Sequence, residues 1–317
     1  MLRLFTIDHR TIREMALPDA GLEQAITEAR WIDAHEPSDE QRSLLQGLLR
    51  TELPESDEVE EIEFSARNFS DAAGIHVHSL FLATSDGRHN TETVACILQP
   101  QRLITIREGE LADFRLLRMR ARRGQVESGS PQELLITLLE QKVENLADAL
   151  EDIHRGLEKV GYMVLEENND QLEASIGELA ELEDSNGKIR LCLMDTQRSI
   201  SFLQRHMPSE AESRERSREI MRDIETLMSH TTFLFDKINF LMDSTQGFIN
   251  IEQNKIIKIF SIAAVVFLPP TLVASIYGMN FQHMPELAWM IGYPGALVLM
   301  LLSGIAPYLL FKRKGWL

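Results

Sequence analysis

Nine residues spaced along one stretch of the chain offer oxygen atoms and small apolar surfaces in a graded order: Asp236, Asp243, Asn250, Asn254, Ile257, Ser261, Leu268, Thr271 and Ser275. At about 100° of rotation per residue, a helix gathers them into roughly one 100°-wide arc. Carboxylates come first, then amides, then hydroxyls and aliphatics. Carboxylates attract cations, and amide and hydroxyl oxygens hydrogen-bond to a water shell without stripping it. On a single membrane helix the hydroxyls face lipid or bond back to their own backbone; in a symmetric bundle they line a wetted axis. One copy has too few spans to enclose such an axis, so this reading requires several.

The element that must carry these residues starts after Pro208, and no decisive breaker precedes Pro269 and Pro270. A helix of about 65 residues rises roughly 100 Å, far more than one bilayer, so a stalk that becomes a membrane helix is expected. Ile259 to Tyr277 and Leu287 to Phe311 are free of charge, and each is long enough to cross a hydrocarbon core of about 30 Å. The connection 278–286 is too short for a further span, so both outer ends of this hairpin share one side. Lys255, Lys258, Lys312, Arg313 and Lys314 place that side in the cytoplasm. Trp289 and Trp316 are interfacial anchors in this reading. Met1 to Arg10 lacks the pattern of a cleavable signal, so the first domain is expected in the cytoplasm.

Composition narrows the partners. Thirty-two basic residues against 49 acidic ones give a net charge of −17, which disfavours nucleic acid. From residue 255 onward there are five basic residues and one acid, Glu286; the rest of the chain keeps 27 basic and 48 acidic residues, a net −21. Cys96 and Cys192 show neither a disulfide framework nor thiolate spacing. No GxxxxGK[ST] phosphate loop occurs, and no nucleophile, base and metal constellation points to an enzyme.

Upstream, residues 1–125 alternate β-like runs (Gly74 to Leu82, Thr93 to Leu98, Arg102 to Arg107) with helical stretches such as Glu40 to Thr51, the texture of an α/β domain. His76 and His78 fall on one face of a strand; without a third ligand nearby a polar strand face is expected there, not a metal site. From Pro131, Leu139, Val143, Leu146, Leu150, Ile153, Leu157 and Val160 keep a four-three spacing, the seam of a coiled coil. A second helix carries Leu172, Ile176, Leu179, Ile189, Leu193, Ile200 and Leu203, with Gly161 to Asn169 expected to supply the turn. The acids around it, Glu166, Glu167, Asp170, Glu173, Glu178, Glu181, Glu183 and Asp184, read as a solvated tip. The chain thus divides into a domain 1–125, a helical stalk 126–255, a membrane hairpin 256–311 with outer loop 278–286, and a basic tail 312–317.

The loop reads Tyr277, Gly278, Met279, Asn280, Phe281, Gln282, His283, Met284, Pro285, Glu286, Leu287. It resembles the CorA family of magnesium channels, whose first membrane helix ends in Gly-Met-Asn followed by a Met-Pro-Glu-Leu loop, and the resemblance extends over the whole chain. It implies an α+β cytoplasmic domain, a funnel of long helices and a two-helix hairpin, assembled as a homopentamer in the inner membrane with both termini cytoplasmic. It implies Mg2+ uptake driven by the membrane potential, with Co2+ and Ni2+ as secondary substrates, no organic cofactor, and closure by bound intracellular Mg2+. Gly278, Met279 and Asn280 take the selectivity positions. Asn254 and Thr271 match the polar pore positions, with Ile257 and Leu268 at the constriction and Asn250, Ser261 and Ser275 completing the lining. Gly278 is expected to supply the tight turn that ends the helix. Glu219, Asp223 and Asp243 lie where the family places sensor acids, and Glu286 is the one acid outside. A zinc transporter of the same superfamily and a membrane-anchored scaffold or sensor are the alternatives.

Overall fold

The structure, a computed structural model, describes residues 1–15, 21–49, 67–85, 87–166, 172–207, 211–280 and 282–315. It forms two compact units, Met1–Met242 and Asp243–Leu317.

The first unit is built on a seven-stranded sheet: β1 (Leu2–Asp8), β2 (Thr11–Glu14), β3 (Trp31–His35), β4 (Asn68–Ser70), β5 (Ile75–Ser85), β6 (Arg88–Leu98) and β7 (Leu103–Arg107). Its order is β2-β1-β3-β7-β6-β5-β4, and only β3 and β7 run parallel. Because side chains alternate across a strand, each strand sends one set of residues to each face. One face carries Leu2, Leu4, Ile32, Ala34, Ala95, Ile97, Ile104 and Ile106 and is closed by Ile26 of α1 (Leu22–Glu28) and Leu45 of α2 (Asp39–Leu49). The strands and helix expected from sequence between residues 40 and 107 are present.

On the other face lie Trp31, stacked on Phe5 with ring centroids 4.3 Å apart, and a fully buried ion cluster. Asp33 accepts hydrogen bonds from Arg107 Nε (3.3 Å), Arg107 Nη2 (3.2 Å), Arg118 Nη1 (3.1 Å) and Thr105 Oγ1 (3.2 Å). Arg118 comes from α3 (Ala112–Arg122), so the cluster ties that helix to β3 and β7. A second buried pair fastens the long helices. Asp195 of α5 (Leu172–His206) accepts from Ser79 Oγ (2.6 Å) and the Leu80 N–H (2.8 Å), and Lys142 of α4 (Pro131–Glu166) donates to Ser79 Oγ (2.8 Å).

The coiled-coil seam is buried throughout, from Leu139 (0%) to Val160 (1%). Of the turn expected over Gly161 to Asn169, residues 161–166 instead belong to α4, where Val164 prolongs the buried seam, and residues 167–169 lie outside the described residues. Glu178, Glu181 and Asp184 pair with Lys159, Arg88 and Lys188, so part of the acidic stretch is neutralised by its neighbours. Glu167, Asp170, Pro208, Phe281 and Trp316 lie outside the described residues.

His76 and His78 do share a strand face, but a buried one, at 2% and 1% exposure. Phe69 stacks on His76 at 4.3 Å, which explains why two polar rings can be covered there. Burial, with His76 and Arg67 adding repulsion, holds His78 down at about 4, so it is neutral at physiological pH. Among the described residues no three His, Cys, Asp or Glu side chains gather as a metal site. Both cysteines are buried, and burial pushes the thiols up, to about 12 for Cys96 and about 11 for Cys192.

Asp113, at the start of α3, is 1% exposed, and burial pushes its carboxyl up to about 6. A raised folded-state value means that ionisation opposes folding. The penalty is complete above pH 6 and fades as pH falls towards the unfolded value near 4. Asp113→Asn should therefore raise the thermal midpoint at pH 8, with a gain of at most about 3 kcal/mol, and change it far less at pH 4. A midpoint that shifts equally at both values would refute this.

Candidate functional site

The second unit holds the last 35 residues of α6 (Ala211–Tyr277), a 3-10 turn at Pro285–Ala288 and α7 (Gly292–Arg313). Both helices are long and apolar enough to cross a membrane. The second apolar run is shorter as a helix than its uncharged length suggested. Pro285 opens a separate turn, and Trp289 is extended (φ −83°, ψ 137°), so α7 begins only at Gly292.

The helix α6 passes through Pro269 and Pro270 without ending. Each proline lacks the N–H that would bond the carbonyl four residues back, which leaves Val265 and Val266 carbonyls without their helical donors. At this weakened turn α7 comes close: a Cβ on Gly304 would lie 3.3 Å from Pro270 Cγ and 3.5 Å from the Val266 carbonyl oxygen. A glycine lets the two backbones approach at the diproline.

Covered or partly covered residues on this stretch of α6 recur at 262, 263, 266, 269, 270, 273 and 277, and on α7 at 292, 296, 300, 303, 304, 307 and 311. At 100° per residue, the α6 set is centred roughly 150° from the polar stripe. Asp243, Asn250, Asn254, Ile257, Ser261, Leu268, Thr271 and Ser275 are all exposed in the single chain, Ile257 at 61% and Leu268 at 65%. Apart from Ser261, which lines a groove with Phe311 of α7, the stripe is the face that the chain's own second helix leaves bare. Thr271 Oγ1 donates to the Phe267 carbonyl at 2.8 Å, the back-bond expected of a membrane hydroxyl with no other partner in one copy.

At the end of α6 the Gly278 N–H still bonds the Ala274 carbonyl (2.9 Å) and Met279 N–H the Ile276 carbonyl (3.2 Å). The helix ends at Tyr277 and Gly278 lies in the turn that follows, as expected, although its backbone is not in the left-handed region. Its small size is what the position uses: a Cβ would stand 3.2 Å from the Ala274 oxygen. Met279 and Asn280 follow, both exposed, with Glu286 exposed in the 3-10 turn.

Gly292 is a site residue that sequence reasoning missed. Its N–H bonds the Trp289 carbonyl at 3.0 Å, and a Cβ there would fall 2.2 Å from the Glu286 carbonyl oxygen. Only a glycine lets the loop that carries Glu286 fold back on the start of α7. The Gly292-Tyr293-Pro294-Gly295 run, rich in breakers beside an apolar stretch, was the available signal.

In the first unit, Glu219 and Asp223 are exposed four residues apart on α6. Asp223 borders a groove of about 280 Å³ that Glu140 and Glu144 also line, Glu140 paired with Arg216 and Glu144 with Arg120.

Comparison with known proteins places this geometry. A family model described as CorA-like Mg2+ transporter protein matches residues 27–313. The chain is 48% identical over 319 residues to the magnesium transport proteins CorA of Salmonella typhimurium and of Escherichia coli, covering 100% of both partners in each pair. Among solved structures it is similar to the complete CorA magnesium transporter from Methanocaldococcus jannaschii, with a TM-score of 0.77 and 17% identity over 100% of this chain and 99% of that one. Full-length CmaX follows, with a TM-score of 0.70 and 16% identity over 99% and 97%.

Proposed function

Because the chain belongs to the CorA family of Mg2+ transporters, we propose that it is the subunit of a homopentameric inner-membrane channel that admits hydrated Mg2+ down the membrane potential, with Co2+ and Ni2+ as further substrates. The observation that carries this reading is the bare polar stripe on the face of α6 turned away from α7. Self-assembly covers it and gives it water to face. The exposed aromatic side chains Phe233 (54%) and Phe240 (60%) on the stalk support assembly from the cytoplasmic side.

Asn280, with Gly278 and Met279, forms the outer ring that meets the ion. Mg2+ dehydrates reluctantly, so amide oxygens that bond to its waters select the hydrated ion by size. Below the ring run Ser275, Thr271, Leu268, Ser261, Ile257, Asn254 and Asn250, with Leu268 and Ile257 narrowing the path. Glu286 raises the cation concentration at the mouth. Both termini are cytoplasmic, as the basic residues flanking the hairpin support. The chain then divides into cytoplasmic domain 1–125, stalk 126–255, hairpin 256–311 and tail 312–317. A divalent ion gains about 4.6 kcal/mol per 100 mV on entry, twice the figure for one charge, so no nucleotide is needed.

Intracellular Mg2+ closes the channel by screening facing carboxylates, among them Glu219, Asp223 and Asp243. Like charges at Glu219 and Asp223 repel until an ion bridges or screens them. The test is influx into proteoliposomes holding an Mg2+ dye at fixed potential. Voltage-driven entry that preloaded Mg2+ suppresses is expected, with weaker suppression in the Glu219→Ala, Asp223→Ala double variant. No entry through a correctly inserted oligomer would refute the channel; unchanged suppression would refute these sensors.

A further inference from the structure

Two histidines of the first unit meet across two helices, away from every residue assigned above to the pore or to sensing. His154 of α4 and His230 of α6 have ring centroids 6.0 Å apart, and Phe233 lies against both, 6.5 Å from His154 and 6.4 Å from His230. The two helices run side by side in the same direction, because their contacts ascend together: Arg216 on Thr137 and Glu140, His230 on His154, Leu241 beside Gly161. The histidine pair sits within that series. Each flanks a residue of the packed interior, His154 next to Ile153 and His230 next to Thr231, whose carbonyl accepts from Asn186 Nδ2 of α5 at 3.0 Å. Packing on both sides therefore fixes the backbone that presents the two rings.

The separation is that of two ligands to one ion. A metal–nitrogen bond of about 2.0–2.1 Å puts each imidazole centre roughly 3 Å from the ion, so two such rings stand about 5–6 Å apart. His154 already has the surroundings of a ligand. Its Nε2 lies 3.5 Å from Oε1 of Glu158, one turn along the same helix, while its Nδ1 is covered and has no hydrogen-bond partner. A carboxylate at one ring nitrogen fixes the proton there and leaves the lone pair of the other for a metal. Both histidines are half-buried, so water reaches the remaining coordination positions. His76 and His78 differ on this point: their burial shuts out the water that a two-ligand site needs, and the Arg67 cation acts on His78.

Imidazole nitrogen suits Zn2+, Ni2+ and Co2+, whereas Mg2+ takes oxygen ligands. We propose that His154 and His230 together bind one nitrogen-preferring divalent transition-metal ion per subunit, with Glu158 orienting His154 and water completing the shell. The bound ion cross-links α4 to α6 and stabilises the packing of the stalk. The site lies wholly within the first unit, so it does not rest on the channel reading.

The probe is Co2+, titrated into the tag-free full-length protein in detergent, with millimolar Mg2+ present to fill oxygen sites, and read by its visible d–d absorption. The wild type should show one Mg2+-resistant Co2+ per subunit. His154→Gln and His230→Gln should each weaken it at least about tenfold, and Glu158→Gln about tenfold, the usual cost of losing an outer partner. His9→Gln, which removes an exposed histidine elsewhere, should leave the titration unchanged. Thermal midpoints without Co2+ check that the variants fold, and added Co2+ should raise the midpoint of the wild type but not of the two histidine variants. Glu158 is 64% exposed at its side chain, so Glu158→Gln keeps the packing and decides the case if a histidine variant fails to fold. No Mg2+-resistant Co2+ in the wild type, an unchanged titration in any of the three site variants, or an equal loss in His9→Gln would overturn the site.

Discussion

Asn280→Ala should reduce voltage-driven Mg2+ influx at least tenfold while the oligomer still assembles. Its amide is exposed at the end of α6, immediately after the last helical hydrogen bonds, and is free to turn towards an ion arriving from outside. A hydrogen bond to a charged partner contributes about 1.5–3 kcal/mol, and each 1.4 kcal/mol is a factor of ten. Removing one such bond from every subunit of a ring at once leaves little of the site. Alanine keeps the backbone and the loop, so the loss would report the amide itself. Influx within twofold of the wild type from a properly inserted Asn280→Ala oligomer would remove Asn280 from the pathway.

Asp33→Ala should be the most damaging substitution in the first unit. Asp33 and Arg107 have no exposed side-chain surface, and Arg118 is 7% exposed at its side chain. Removing the carboxylate strands two guanidinium groups. Glu110 receives hydrogen bonds from both, but it is 38% exposed and cannot replace the buried oxygens under β3. Breaking a buried pair by deleting one partner costs about 3–5 kcal/mol, which for a unit of this size lowers the thermal midpoint by roughly 6–20 °C. A double variant that also replaces Arg107 with methionine should recover part of the loss, because an uncompensated charge would no longer be buried. A thermal midpoint for Asp33→Ala within 2 °C of the wild type would contradict this account.

The long-range plan was legible because it rests on patterns that local chemistry dictates. Uncharged runs mark the hairpin, the four-three spacing from Leu139 to Val160 marks a seam that is indeed buried, and Gly278-Met279-Asn280 sits at the end of the first span. What stayed hidden depends on partners distant in sequence. Nothing near Asp33 announces that Arg107 and Arg118 will converge on it. The histidines of β5 looked like a wet surface because their cover, Phe69, comes from a separate strand. Gly161 looked like a turn because glycine so often ends a helix, but here the seam residues on either side hold the helix straight through it. Gly292 and Gly304 are set by close approaches of backbone to backbone, which a sequence records only as two more glycines among seventeen.

The two native thiols carry a practical consequence. Cys96 and Cys192 are fully covered and held protonated far above neutral pH, so they are poor targets for alkylating reagents while the fold is intact. A cysteine introduced at any one position from 250 to 275 would be the single reactive thiol of the folded chain without first removing the other two. Water-soluble maleimides could then map, residue by residue, which side of α6 touches water in the assembled protein.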